Sequence, residues 1–143
     1  MLLGDLIKNI KPSYKSIKFN NIRFNSKDCK KNDIFFSIQG NKFNGNNYIK
    51  DALKTGSKIV ISNLNFEGFN KKKVLFIKNK NTRKALAEAA SNFYKRKPKN
   101  IIALTGTNGK TSIANFFYQI LSLNKKKVAA IGTLGVLSKK IKF

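Results

Sequence analysis

The apolar run Ile101-Ile102-Ala103-Leu104 leads into Thr105-Gly106-Thr107-Asn108-Gly109-Lys110-Thr111-Ser112. After it, Ile113, Phe116, Phe117, Ile120 and Leu121 recur at i, i+3, i+4, i+7 and i+8, the spacing of an amphipathic helix. Strand, glycine-bearing loop and helix in that order restrict this part of the chain to an α/β layer. The loop also has a chemical character. Gly106 and Gly109 admit backbone angles closed to other residues and let the main chain approach a ligand. Successive N–H groups then converge on one concavity, and the helix start adds unsatisfied donors and a partial positive charge. Lys110 is placed to meet β- and γ-phosphates, and the Thr111 hydroxyl to meet Mg²⁺. The common nucleotide pattern G-x-x-x-x-G-K-[ST] is matched incompletely, because its first glycine position holds Leu104 and the glycine present is Gly106.

Composition limits the rest. A chain of 143 residues accommodates one domain, or a small domain and part of another, and 41% hydrophobic residues suffice for a core. No apolar run approaches the ~20 residues of a membrane span, and the N-terminus reads as a short opening helix rather than a signal peptide. One cysteine, Cys29, excludes an internal disulfide framework, and the chain has no histidine. These features fit a cytoplasmic, monomeric protein. The net charge of +24 suggests a polyanion partner. The excess is spread, however: 23 of the 30 basic residues lie in 1–99 and 7 in 100–143. Lysine supplies 27 and arginine, the better phosphate and base reader, only 3. The runs at 71–73 and 125–127 fall where turns are expected, so we read them as solvated loops, with no nucleic-acid partner.

Along the chain, the pattern predicts a helix over 2–9 and strands at 17–19 and 22–24 around an Asn20-Asn21 turn. A strand at 33–38 and a helix over 46–55 follow, the helix with Tyr48, Ile49, Ala52 and Leu53 inward. Strands at 58–61 and 74–77 flank a polar loop at 64–73. A helix from Thr82 to Lys95 is capped by Asn81, with Leu86, Ala89, Ala90 and Phe93 on one face. Lys97-Pro98-Lys99-Asn100 reads as a linker, and strands at 128–131 and 134–137 follow the second helix. The expected architecture is α/β: a small mixed sheet-plus-helix unit over 1–97, then one β-α-β unit over 98–143. Such a unit needs further strands to bury both faces, so the second domain is expected to be incomplete.

Taken together, these residues resemble the Mur ligases, ATP-dependent amide ligases that build the peptidoglycan stem peptide. The segment from Thr105 to Thr111 looks like that family's ATP-binding loop. Related folylpolyglutamate synthetases usually carry glycine where Thr111 stands. Asn25-Ser26-Lys27, Asn32-Asp33-Ile34-Phe35-Phe36-Ser37-Ile38-Gln39-Gly40 and Asn44-Gly45 are similar to the D-S-R, G-D-L-F-x-A-I-x-G and D-G stretches of the tripeptide synthetase branch. Ile131-Gly132-Thr133-Leu134-Gly135 also looks like that branch, as does the Asn108 form of the loop, in preference to the branch that adds D-alanyl-D-alanine.

The resemblance implies a UDP-sugar-binding domain over 1–97 and the opening of a P-loop ATP-binding domain over 98–143. It implies that Gly106, Thr107, Asn108, Gly109, Lys110, Thr111 and Ser112 hold ATP, with Lys110 and Thr111 serving catalysis and Thr111 the Mg²⁺. Phe24, Ser26, Asn41, Lys42 and Phe43 would line the site for UDP-N-acetylmuramoyl-L-alanyl-D-glutamate. Asn25 and Asn44 stand where the branch has acids, and Lys27 where it has arginine, which keeps the charge and loses the planar fork. In the implied reaction a substrate carboxylate takes the γ-phosphoryl group to give an acyl phosphate and ADP. The amine of a third amino acid, diaminopimelate or lysine, then displaces phosphate. The six acids end at Glu88, so the chain by itself is expected not to ligate. The competing readings are a fragment of the D-alanyl-D-alanine-adding ligase, a basic nucleic-acid-binding module and a ligase remnant.

Overall fold

The computed structural model of the chain describes residues 1–40 and 43–139 and divides into two compact units, Met1–Lys97 and Pro98–Phe143. The first unit is built on a five-stranded sheet. Helix α1 (Leu3–Leu6) precedes β1 (Ile22–Arg23) and β2 (Ile34–Phe36). Helix α2 (Ile49–Lys54), β3 (Ile59–Ser62), β4 (Gly68–Phe69), β5 (Leu75–Lys78) and α3 (Thr82–Phe93) follow. The strand order is β1-β2-β3-β5-β4. β1, β2, β3 and β5 run parallel, and β4 pairs antiparallel on the β5 edge.

Both faces of this sheet are covered, which is why its strands read as continuous apolar runs rather than alternating ones. Successive side chains still point to opposite faces. Ile34, Phe36, Ile59, Ile61, Leu75 and Ile77 pack with Leu3 and Leu6 of α1 and Ala85 and Ala89 of α3. Phe35, Val60 and Phe76 point the other way, against Cys29 and against Ile49 and Ala52 of α2. Each such aliphatic or aromatic side chain, fully buried, contributes about 1.5–3 kcal/mol. Asparagine, 19 residues of the chain, is used largely at turns. Asn25, Asn44 and Asn70 accept from backbone N–H groups two residues on, and Asn81 caps α3 by accepting from Lys84 N–H at 3.0 Å.

Several expectations shift. The predicted hairpin around Asn20-Asn21 does not form: β1 pairs parallel with β2, and Lys18 bridges to Leu2 instead. The cause lies in the two asparagines. Asn20 N–H donates to the Asn32 carbonyl at 3.0 Å and Asn21 N–H to the Asp33 carboxylate at 3.0 Å, which draws the chain alongside β2. The helix over 46–55 starts as a 3₁₀ turn, Gly45–Tyr48, so Tyr48 rotates outward and is exposed. The polar loop contains β4, and α3 ends at Phe93, with Ala85 buried in addition to Ala89.

The second unit holds α4 (Lys110–Leu123) and the antiparallel pair β6 (Ala129–Gly132) and β7 (Gly135–Ser138). Asn124 closes α4 by donating to the Ile120 carbonyl at 2.8 Å, and Lys125 turns the chain at φ 56°. The expected strand at 101–104 is absent, since these residues join no ladder among the described residues. A strand is defined by its partner's hydrogen bonds, and β6 takes its partner from the hairpin that follows. The unit is therefore α-β-β rather than β-α-β. Ile113, Phe116, Phe117 and Ile120, the apolar face of the amphipathic pattern, are exposed. No helix among the described residues is long and apolar enough to cross a membrane.

Candidate functional site

In open parallel sheets, ligands bind beyond the carboxyl ends of the strands. Phe24 directly follows β1, and the 37–45 loop follows β2, so the parallel register brings both segments to the same edge. Phe24 is 68% exposed and Phe43 69%, which presents two aromatic side chains at that edge. Ser26 is only 6% exposed. It opens a 3₁₀ turn, Ser26–Asp28, capped by Asn25, and its carbonyl accepts from Cys29 N–H. Asn41 and Lys42 lie outside the described residues.

What holds the 24–28 segment is Asp33, fully buried at the start of β2. Its carboxylate accepts from Asn21 N–H (3.0 Å), Lys30 N–H (3.1 Å) and Arg23 Nε (3.1 Å). A buried carboxylate is retained only when paired and hydrogen-bonded. Here those three donors lie on both flanks of the 24–28 segment. Burial first, and then the Asp33 charge, push the Cys29 thiol up to about 11, so this buried cysteine stays a neutral thiol.

The loop after β2 is fixed differently. Gly40 N–H donates to the Phe43 carbonyl at 2.8 Å, Gly45 N–H donates to the Ile38 carbonyl at 3.0 Å, and Gln39 bridges to Asn44. Residues 38–40 therefore pair back on residues 43–45 as the two arms of a hairpin. Gly45 is required by this approach: a Cβ there would lie 2.5 Å from the Ile38 carbonyl oxygen and 2.6 Å from its nitrogen. Behind the hairpin, the buried Ser37 hydroxyl donates to Asn46 Oδ1 at 2.5 Å, and Asn46 Nδ2 donates to Asn63 Oδ1 at 2.8 Å. This chain ties the carboxyl ends of β2 and β3 together. Sequence reading missed Asp33, Ser37, Asn46 and Asn63 as organisers of this edge. The only signal was Asp33, a carboxylate at the mouth of an apolar strand.

In the second unit, Gly106 (φ +145°) and Gly109 (φ +77°) take the left-handed side of backbone space, and Gly109 is the N-cap of α4. Thr107 and Asn108 lie between them, and Lys110, Thr111 and Ser112 form the first turn of the helix, all exposed. The Lys110 ammonium reaches back over the loop to the carbonyls of Gly106 and, at 3.0 Å, Thr107. The Thr111 hydroxyl lies 3.2 Å from the Thr133 hydroxyl at the tip of the β6–β7 hairpin. The donor set suits a phosphorylated anion: an ammonium, hydroxyls and helix-start N–H groups, with no acidic side chain in the loop. For a cation the loop provides the Thr111 hydroxyl, and no group of three or more His, Cys, Asp or Glu side chains gathers among the described residues.

A family model described as Mur ligase family, catalytic domain, matches residues 18–94, more than half of the chain. A UDP-N-acetylmuramoyl-L-alanyl-D-glutamate–2,6-diaminopimelate ligase of Rickettsia montanensis is 44% identical over 128 residues, covering 90% of this chain and 26% of that protein. A solved structure of a ligase of that name superposes with a TM-score of 0.72 at 21% identity, covering 99% of this chain and 29% of the other. A MurF ligase from Thermotoga maritima, in complex with ADP, superposes with a TM-score of 0.57 at 24% identity, covering 75% of this chain and 24% of that one. These two share its fold. The chain spans about a quarter of the length of the relatives it matches, and by the family match across its sheet unit it belongs to the Mur ligase family.

Proposed function

We propose that this chain is the N-terminal part of an ATP-dependent ligase that adds diaminopimelate to UDP-N-acetylmuramoyl-L-alanyl-D-glutamate in peptidoglycan synthesis. The observation that carries the reading is the 44% identity to a ligase of that name over 90% of this chain. An alignment of that extent takes in both the carboxyl edge of the sheet and the 105–112 loop.

In this reading the unit over 1–97 is the UDP-sugar-binding domain, and 98–143 opens the P-loop ATP-binding domain. Phe24 and Phe43 offer apolar faces to the uridine end of the substrate; the family resemblance assigns Ser26, Asn41 and Lys42 to the same substrate, although the Ser26 side chain is buried in the free chain. The backbone N–H groups of 106–112 hold phosphate oxygens. The Lys110 ammonium exchanges its loop carbonyls for phosphate, a charge-assisted contact stronger than the ones it leaves. The Thr111 hydroxyl faces Mg²⁺. Bound Mg·ATP supplies the phosphoryl group that activates a carboxylate toward an amine; the loop's contribution is to position it and neutralise its charge. With no acid beyond Glu88, the 143 residues bind and orient but do not ligate. The protein so described is cytoplasmic and monomeric.

Calorimetric titration of the 143-residue chain with UDP-N-acetylmuramoyl-L-alanyl-D-glutamate, and separately with ATP, tests this. Saturable heat with both ligands is expected, with Phe24→Ala weakening the first alone. Absence of heat for the UDP ligand at millimolar concentration contradicts the substrate assignment, and absence for ATP contradicts the loop assignment. Turnover by this chain alone contradicts the division of labour.

A further inference from the structure

We propose that Thr133 is a positioning residue for the cation-facing hydroxyl of Thr111, an inference that rests on the nucleotide reading of the 105–112 loop. A threonine hydroxyl that gives a lone pair to a cation keeps its proton, and that proton needs an acceptor. Without one, the hydroxyl rotates and its lone pair is aimed at random. Thr133 Oγ1, 3.2 Å from Thr111 Oγ1, is that acceptor. The hydrogen bond joins residues 22 apart in sequence, and the fold brings them together by two features of the second unit. Thr111 sits in the first turn of α4, directly after the Gly109 N-cap and Lys110. Thr133 and Leu134 are the two tip residues of the β6–β7 hairpin, between the paired Gly132 and Gly135, with Gly135 at φ +84°.

The pair sits beside a surface that α4 and the hairpin share. Thr111, Ala114 and Asn115 of α4 and Ile131, Leu134 and Leu137 of the hairpin line one partly open cleft. The hairpin therefore lies against α4, with Thr133 on the side of the first helical turn. A group that orients a metal ligand typically changes metal affinity by about 10–100-fold when removed. Valine at 133 keeps the β-branched shape and removes the acceptor; serine keeps the hydroxyl and removes the methyl.

The test is calorimetric binding of ATP to the 143-residue chain in Mg²⁺ and in EDTA, for wild type, Thr133→Val and Thr133→Ser. We expect Mg²⁺ to tighten ATP binding in the wild type. Thr133→Val should lose about 10-fold of that affinity in Mg²⁺ with no comparable loss in EDTA, and Thr133→Ser should restore it. An equal loss in both buffers would make Thr133 a structural residue only and overturn the proposal, as would wild-type behaviour of Thr133→Val. If the wild type binds no ATP in either buffer, the nucleotide reading itself fails. If it binds ATP without regard to Mg²⁺, the loop reading stands and the cation role of the Thr111–Thr133 pair falls.

Discussion

Phe36 and Phe116 each belong to a phenylalanine pair and have opposite fates. Phe36 lies in an apolar run and is 0% exposed; Phe116 lies in an amphipathic helix and is 60% exposed. The difference is one of layers. Around Phe36, α1 and α3 cover one face of the sheet and α2 the other, so each side chain of β2 meets a second surface. Around Phe116 there is one helix and one two-stranded hairpin, which together enclose a single side of each. Apolar periodicity identifies the face that a segment offers for burial. Burial itself requires a second layer of matching area.

The largest test of this contrast is Phe36→Ala. It empties a site with no exposure at the centre of the sheet, and aromatic-to-alanine changes in such places cost about 3–5 kcal/mol. Urea unfolding followed by far-UV circular dichroism is the suitable measurement, since the chain has no tryptophan. A loss below about 1 kcal/mol would show that the first unit's core is looser than its packing implies.

Asp33→Ala follows, at about 3 kcal/mol. The carboxylate is fully buried, and its removal leaves the Asn21 and Lys30 N–H groups and the Arg23 guanidinium without their shared acceptor. Arg23→Ala is expected to cost less, because its side chain is 33% exposed and water replaces part of what it loses. Equal costs for the two variants would mean that the ion pair alone, rather than the backbone acceptor role of Asp33, holds the 24–28 segment.

Much of the first unit was legible in the sequence because its strands are short, apolar and bounded by polar turns. The Asn81 cap and the cores of β2, β3 and β5 follow from local pattern alone. The parallel pairing of β1 was not legible, because it depends on the contacts of Asn20 with Asn32 and of Asn21 with Asp33, each twelve residues away. The Ser37–Asn46–Asn63 chain was hidden for the same reason: a buried network of neutral polar groups leaves no periodic trace. In the second unit the glycines and Lys110 were legible as a loop, since local φ demands and charge are properties of single residues. The strand expected at 101–104 required a partner that local pattern does not contain. Thr133 stood in the sequence as part of a glycine-flanked turn, but its proximity to Thr111 is a product of the hairpin.

Cys29 gives a pH-dependent form of the same contrast. Its folded-state pKa is pushed up to about 11 from 9.0, by burial and then by Asp33. Below pH 9 both folded and unfolded chains carry the neutral thiol, and Cys29 adds no pH dependence. Between about 9 and 11 the unfolded chain loses the proton and the folded chain keeps it, so the folded state loses stability as pH rises, by roughly 1 kcal/mol per unit. Cys29→Ala is expected to remove that slope. Urea midpoints at pH 8, 9.5 and 10.5 for the two chains measure the difference. Parallel midpoints would show that the thiol is more solvated than its 4% exposure implies.

The smallest effect is expected at Phe116→Ser. With the ring 60% exposed, little apolar area returns to water on unfolding, and exposed substitutions usually lie within about 0.5 kcal/mol. Serine lowers helix propensity only slightly relative to phenylalanine, so the backbone of α4 does not confound the result. The comparison with Phe36→Ala then separates two meanings of an apolar helix face. If Phe116→Ser is neutral in thermal unfolding monitored at 222 nm, the outward face of α4 contributes nothing to the fold of these 143 residues, and its sequence pattern reports a surface rather than a core. If it costs more than about 1 kcal/mol, the ring has a partner in solution and the two units differ less than their exposures indicate. Repeating the measurement at tenfold higher protein concentration distinguishes a partner within the chain from a second molecule, because only the second raises the apparent stability with concentration.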